Sequence, residues 1–249
     1  MDNTLFLETV DSTNSRAREL AHQGKPHGFA VLAGCQTAGR GRLGKSWQSP
    51  AGMGLYATIL LRPGLAIIDY SKITLTAGLA VSVALEALCH LTIELKWPND
   101  IYINGRKCGG ILVETSSLQD EAEHFALVGI GLNINNTQET LSFELQKSAT
   151  SLFLERGQHY EILNIFAEIR SRLLQLIAEL AEVGFAAILK QWQRRDMLQG
   201  KWMQWLTPAG TIVYGKALGV DSNGMLSVQD NTGLIHEVLS GDITLVAGL

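Results

Sequence analysis

TIELKWPNDIYINGRKCGGILVETSS, residues 92–117, decides the architecture. Pro98 breaks the run after Lys96-Trp97. Asn104-Gly105 then separates two strand-like stretches and is the strongest short hairpin signal a sequence offers. The segment therefore predicts adjacent antiparallel strands rather than the strand–helix–strand repetition of a doubly wound sheet. Downstream, FALVGIGLNIN at 125–135 reads as one more strand. Upstream, Ser71 to Cys89 suits a buried helix rich in Ala, Leu and Val, and GLYATILLR (54–62), FAVLAGC (29–35) and TLFLETV (4–10) are strand-like. DSTN at 11–14 supplies N-cap residues for a helix over SRARELAHQG, which closes at Gly24 and Pro26. From Glu161 to Val183, Leu163, Phe166, Ile169, Leu173, Ile177 and Leu180 recur at steps of three and four, predicting an amphipathic helix. Past Arg194-Arg195-Asp196 the character changes to short alternating runs: TIVYGKALGV, GMLSVQD, LIHEVLS and DITLVAG. We expect an α+β fold with one domain over 1–196 and a small all-β domain over 197–249.

With 46% hydrophobic and 18% charged residues in 249, the chain can bury a sizeable core and is not disordered. Twenty basic against 24 acidic residues give a net charge of −4, which offers no general attraction to nucleic acid or anionic lipid. Cys35, Cys89 and Cys108 are odd in number and lack CxxC spacing, so a reducing, cytoplasmic setting is the expectation. The first residues lack the basic and apolar regions of a signal peptide. The most apolar stretch, Ile73 to Cys89, is interrupted by Thr, Ser and Glu86, so no membrane association is expected.

Three segments carry chemistry. GRGRLGKSWQSPAGMG at 39–54 combines glycines that let backbone amides approach a ligand with Arg40, Arg42 and Lys45. Guanidinium groups bind phosphate or carboxylate oxygens in pairs, and Trp47 offers a flat face to a fused ring. The run is neither a Walker A sequence nor a dinucleotide fingerprint, so by itself a solvated loop remains open. In KWPNDIYINGRKCGGILVE (96–114) the hairpin brings Lys96 and Lys107 toward each other, near Asn99 and Asp100, with Gly109 and Gly110 allowing close approach. VGIGLNIN puts Gly129, Gly131 and Asn133 on one strand face. The six histidines lack metal-ligand spacing, and no metal-binding residue is expected.

Taken in order, DSTN (11–14), Gln36 in CQTAGRGRLG, SW (46–47), KWPND (96–100), K-x-x-GILVE (107–114) and GIGLNIN (129–135) resemble the catalytic domain of biotin–protein ligases, also called biotin–acetyl-CoA-carboxylase ligases. The resemblance runs nearly the whole chain, since GDITL (241–245) is similar to the last strand of the family's small C-terminal SH3-like β-barrel. It implies a mixed-sheet catalytic domain of the biotin/lipoate ligase type. The implied reaction joins biotin and ATP into biotinyl-5′-AMP and pyrophosphate, then transfers biotin to a lysine of the biotin carboxyl carrier protein of acetyl-CoA carboxylase.

By motif match, Ser12, Thr13, Asn14 and Gln36 would hold biotin's ureido head, and Arg40, Gly41, Arg42, Lys107 and Gly110 would surround the rest of it. Arg40, Arg42, Trp47, Lys96, Asn99, Asp100 and Asn133 would take the nucleotide, with Mg2+ accompanying its phosphates. Arg42, Lys107 and Asp100 would be catalytic, Asp100 as a base toward the acceptor lysine or as a prop for the nucleotide loop. Some members begin with a DNA-binding helix-turn-helix, whereas here ten residues precede Asp11, so DNA binding is not expected. GDITLVAGL also lacks the arginine that some members present to ATP. A lipoate or octanoate ligase is the nearest alternative, but RRxSGGGxVxHD is absent. Monomer and homodimer both remain open.

Overall fold

The computed structural model describes residues 3–117, 124–206, 211–238 and 243–245. Strand β1 (Thr4–Val10), helix α1 (Thr13–His22) and strand β2 (Ala30–Gln36) form one parallel crossover, Thr4 pairing with Ala30 and Val10 with Gln36. After it the sheet turns antiparallel through β3 (Gly54–Leu61), β4 (Glu94–Lys96), β5 (Asp100–Ile103), β6 (Arg106–Ser117) and β7 (His124–Asn133). The strand order is β1-β2-β3-β7-β6-β5-β4, a mixed sheet. The β5–β6 hairpin turns at Asn104 and Gly105 with φ of 50° and 72°, the left-handed pair that Asn-Gly tolerates best.

The strands' period of two gives the sheet two different faces. Leu55, Ala57, Ile59, Val128, Ile130, Leu132 and Ile111 point to the main core, against α2 (Ser71–Cys89) and α4 (Ile162–Glu182). Between these helices lies α3 (Leu152–Arg156), and α5 (Ala186–Gln193) follows them. Helix α2 is long and apolar enough to cross a membrane by composition alone. Here Ile73, Leu79, Ala80, Val81, Ala84 and Leu85 are fully buried in the protein core. On the opposite face α1 covers the end of the sheet where Val31, Leu60, Phe125 and Leu127 meet Ala17, Leu20 and Ala21.

The remaining strands, β8 (Trp202–Leu206), β9 (Ile212–Val220), β10 (Leu226–Asp230), β11 (Ile235–Val238) and β12 (Ile243–Leu245), make a second, antiparallel sheet in the order β11-β10-β9-β8-β12. Of the GDITLVAGL stretch, Ile243–Leu245 forms β12 against β8, while its other residues lie outside those described. The second sheet touches the first at the KWPND segment. Leu95 bonds through its N–H and carbonyl to Arg195 and Met197, and Trp97 Nε1 donates to Gly224 O at 3.0 Å.

Candidate active site

Beyond α1 the same sheet face is left open, and its floor is made by missing side chains. Register aligns Tyr56, Gly131, Gly110 and Asp100 across β3, β7, β6 and β5, and the next row is Thr58, Gly129 and Leu112. A β-carbon on Gly129 would lie 2.4 Å from Asn14 Oδ1, and one on Gly131 2.6 Å from the Trp47 indole. These two glycines are therefore fixed by what lies on them. The cavity above holds about 600 Å³, within the usual range for small-molecule sites.

One end of the cavity is polar and uncharged. Ser12 is the N-cap residue of α1 but its hydroxyl makes no cap bond, and Gln36 Oε1 accepts from Thr13 N at 2.9 Å, satisfying that first-turn amide. Ser12 is left lining the pocket. Gln36 Nε2 donates to Ser49 Oγ at 3.0 Å, and the Thr13 and Thr58 hydroxyls lie 2.8 Å apart. Asn14 Nδ2 donates to Leu112 O and Glu114 Oε2, while its Oδ1 accepts from Thr58 at 2.6 Å. With its amide satisfied inside the protein and only 3% of the residue exposed, Asn14 shapes the pocket more than it offers bonds to a ligand.

The other end is charged. The 39–54 loop contains a short 3-10 turn, Arg42–Gly44, with Leu43 left-handed, and is closed by paired backbone bonds between Gly41 and Lys45 and between Gly39 and Trp47. It is more ordered than glycine content alone suggests. Arg40 reaches Glu114 at 3.3 Å, and Arg42 Nη1 donates to Asn99 Oδ1 at 3.3 Å. Asn99 is fixed in turn by Ile111, whose carbonyl accepts from Asn99 Nδ2 at 2.7 Å. Lys107 Nζ pairs with Asp100 Oδ1 at 2.6 Å and stands 5.7 Å over the Trp47 ring. Its backbone is stitched to the following segment, Lys107 N to Ser148 O and Thr150 N to Lys107 O. Lys96 lies 5.8 Å over Tyr102, whose hydroxyl burial and the Asp100 carboxylate push up to about 12, so it stays protonated. Trp47 Nε1 is buried against Gly131 without a hydrogen-bond partner among the described residues.

Every predicted binding or catalytic residue lines this one cavity: Ser12, Thr13, Asn14, Gln36, Arg40, Gly41, Arg42, Trp47, Lys96, Asn99, Asp100, Lys107, Gly110 and Asn133, whereas Gly109, also expected to admit a ligand, instead packs against the Leu132 side chain. Asn133, like Asn14, is internally engaged, donating to Thr150 O at 3.0 Å. Trp47 lies against the glycine floor, its indole over Gly131. The sequence reading missed Thr58 and Glu114, which hold Asn14 from behind the lining, and also the stretch 136–149, where Asn136, Thr140, Leu141 and Glu144 complete the rim. Thr58 is a buried hydroxyl in an otherwise apolar strand, and Glu114 lies an even number of residues from Gly110. Both signals were legible. Among the described residues no three His, Cys, Asp or Glu side chains gather as a metal site.

Residues 6–135 match the biotin/lipoate A/B protein ligase family, and residues 206–246 match the biotin protein ligase C terminal domain. The chain belongs to the biotin/lipoate A/B protein ligase family. Within it, the chain is 34% identical over 241 residues to the bifunctional ligase/repressor BirA of Bacillus subtilis, covering 97% of this chain and 73% of that protein. It is 33% identical to the biotin–[acetyl-CoA-carboxylase] ligase of Paracoccus denitrificans, covering 92% and 95% of the two chains. Biotin protein ligase from Aquifex aeolicus, solved with biotin and ATP, superposes with a TM-score of 0.85 at 30% identity, covering 99% of each chain.

Proposed function

We propose that this chain is a biotin–protein ligase that activates biotin with ATP and transfers it to a lysine of a biotin carboxyl carrier protein. The observation that carries this reading is the division of one cavity into a neutral hydrogen-bonding end at Ser12, Thr13 and Gln36 and a charged end at Arg40, Arg42, Lys107 and Asp100. A ligand with a neutral polar head and an anionic tail fits that order. The neutral groups take the ureido ring, and the cations take the carboxylate and the nucleotide phosphates.

In the first step a biotin carboxylate oxygen attacks the α-phosphorus of ATP and pyrophosphate leaves. Arg42 and Lys107 supply positive charge where the two anions meet, which is the main electrostatic obstacle. Mg2+ enters with the nucleotide as part of the substrate. Lys96, Asn99 and Trp47 border the nucleotide, with the Trp47 indole against its base. In the second step the acceptor amine attacks the acyl carbon, AMP leaves and the nitrogen loses a proton. Lysine is almost wholly protonated at neutral pH, so its ammonium needs orientation and a route for that proton. Asp100 holds Lys107 in the ligand-free site; once Lys107 turns to the phosphate, the Asp100 carboxylate faces the incoming ammonium.

We place the domain boundary after Asp196, the partner as a folded carrier domain, and the setting as the cytoplasm. The net charge of −4 and the engagement of Arg40 and Arg42 within the site leave operator DNA outside the proposed partners. Pyrophosphate release tests the substrate. We expect release with biotin, ATP and Mg2+ and little with lipoate or octanoate; the reverse preference would make this a lipoyl-type ligase.

A further inference from the structure

Among the described residues, Glu114 is the carboxylate that bonds both Asn14 at the neutral end and Arg40 at the charged end. Its Oε2 accepts from Asn14 Nδ2 at 3.1 Å, from Arg18 Nη2 at 3.1 Å and from Arg40 Nη2 at 3.3 Å. The three donors belong to α1, which carries the DSTN residues, and to the GRGRLG loop. Strand β6 supplies the acceptor and, four residues earlier on the same face, Gly110. Arg18 and Glu114 are partly buried, their side chains 35% and 22% exposed, while Arg40 is 46% exposed and is the donor able to leave.

The charge on Glu114 also sets the direction of the bonds around it. An ionised carboxylate only accepts, so Asn14 must present its NH2 to Glu114 and its carbonyl oxygen to Thr58. The Thr58 hydroxyl then spends its single proton on Asn14. The Thr13 hydroxyl lies 2.8 Å from Thr58 and 3.1 Å from Gln36 Oε1, so it continues the row toward Gln36. One acidic group thus orients Asn14 and Thr58 beneath the neutral end and tethers Arg40 at the charged end.

We propose that Glu114 is a positioning residue: it pre-forms the ligand-free site by holding Arg40 of the GRGRLG loop and Asn14 of α1 on a single carboxylate oxygen. Its kinetic consequence rests on the biotin ligase reading; its structural consequence does not. Without the tether the loop starts from a broader set of conformations, and ligand binding must supply the ordering.

The test compares Glu114→Gln, Arg40→Gln and the double variant of the full chain. In the ligand-free proteins we expect amide exchange of residues 39–47 to quicken about fivefold in each single variant and no further in the double, as for two halves of one partly exposed contact. Amides of α4 should exchange as in the wild type, reporting an intact fold. In pyrophosphate release, Glu114→Gln should raise the biotin KM about fivefold with kcat within about twofold, a split that general destabilisation would not give. Unchanged loop exchange in either single variant, multiplying effects in the double, or a loss confined to kcat would overturn the proposal. If Glu114→Gln does not fold, Arg40→Gln decides alone through the same exchange measurement. Wild-type protein that releases no pyrophosphate would remove the functional reading, while the ligand-free exchange would still judge the tether.

Discussion

Lys107 is held by three things that differ in strength: a 2.6 Å ion pair to Asp100, the face of Trp47, and a backbone stitched to Ser148 and Thr150. The stitching fixes where the side chain begins, and the first two leave its ammonium able to turn toward a stronger anion. A cation in that role matters most while carboxylate and α-phosphate are being joined. Lys107→Ala should therefore slow adenylation far more than transfer from supplied biotinyl-AMP; an equal loss in both half-reactions would make it a general binding contact. Gly131 offers a second residue-scale test. A methyl there would meet the Trp47 indole at 2.6 Å, so Gly131→Ala should displace the ring and raise the ATP KM, with a matching change in Trp fluorescence. At this scale the sequence was informative because motif residues are also pocket residues. It was silent on Asn14 with Glu114, a contact across 100 positions that local spacing does not reveal.

The elements were most legible where periodicity runs long. Helices α2 and α4 and the Asn104-Gly105 hairpin stand where their patterns predict them. Helices α3 and α5, of five and eight residues, are too short to display a 3.6-residue period and were not foreseen. Helix α4 gives a stability test: Phe166 is fully buried in the core, and Phe166→Ala should cost roughly 3–5 kcal/mol in denaturant unfolding. The GRGRLG loop is the element whose behaviour bears on function. Its backbone bonds and the Arg40 and Arg42 contacts give it a defined resting shape, yet Leu43, Gly44, Lys45 and Ser46 are exposed. Amide exchange over 38–50 should slow further with biotin and ATP. Arg42→Ala should release biotinyl-AMP faster, by the loss of a charge-assisted contact worth roughly 1.5–3 kcal/mol. An unaltered release rate would remove Arg42 from the adenylate.

At the scale of the whole molecule, the two sheets meet at the KWPND segment. Leu95 is bonded to Arg195 and Met197, Trp97 to Gly224, and Asp196 lies between as a half-buried acid. Asp196 Oδ2 has no hydrogen-bond partner among the described residues, and burial pushes the carboxyl up to about 6. A carboxyl raised in the folded state favours folding when protonated. Its contribution is present below the unfolded value near pH 4 and is lost as pH rises to about 6. Thermal unfolding should show that fall, on the order of 2 kcal/mol, and Asp196→Asn should flatten it. None of this junction was visible in the sequence beyond the change of character near 196, because the contacts depend on how the sheets pack. The most direct measurement joins all scales: incubation with biotin, ATP, Mg2+ and an apo biotin-carrier domain, followed by intact mass of the carrier. The expected result is a gain of one biotinyl group that requires ATP and disappears when the carrier's acceptor lysine is replaced. An unmodified carrier, alongside biotin and ATP that bind without releasing pyrophosphate, would contradict the proposed ligase.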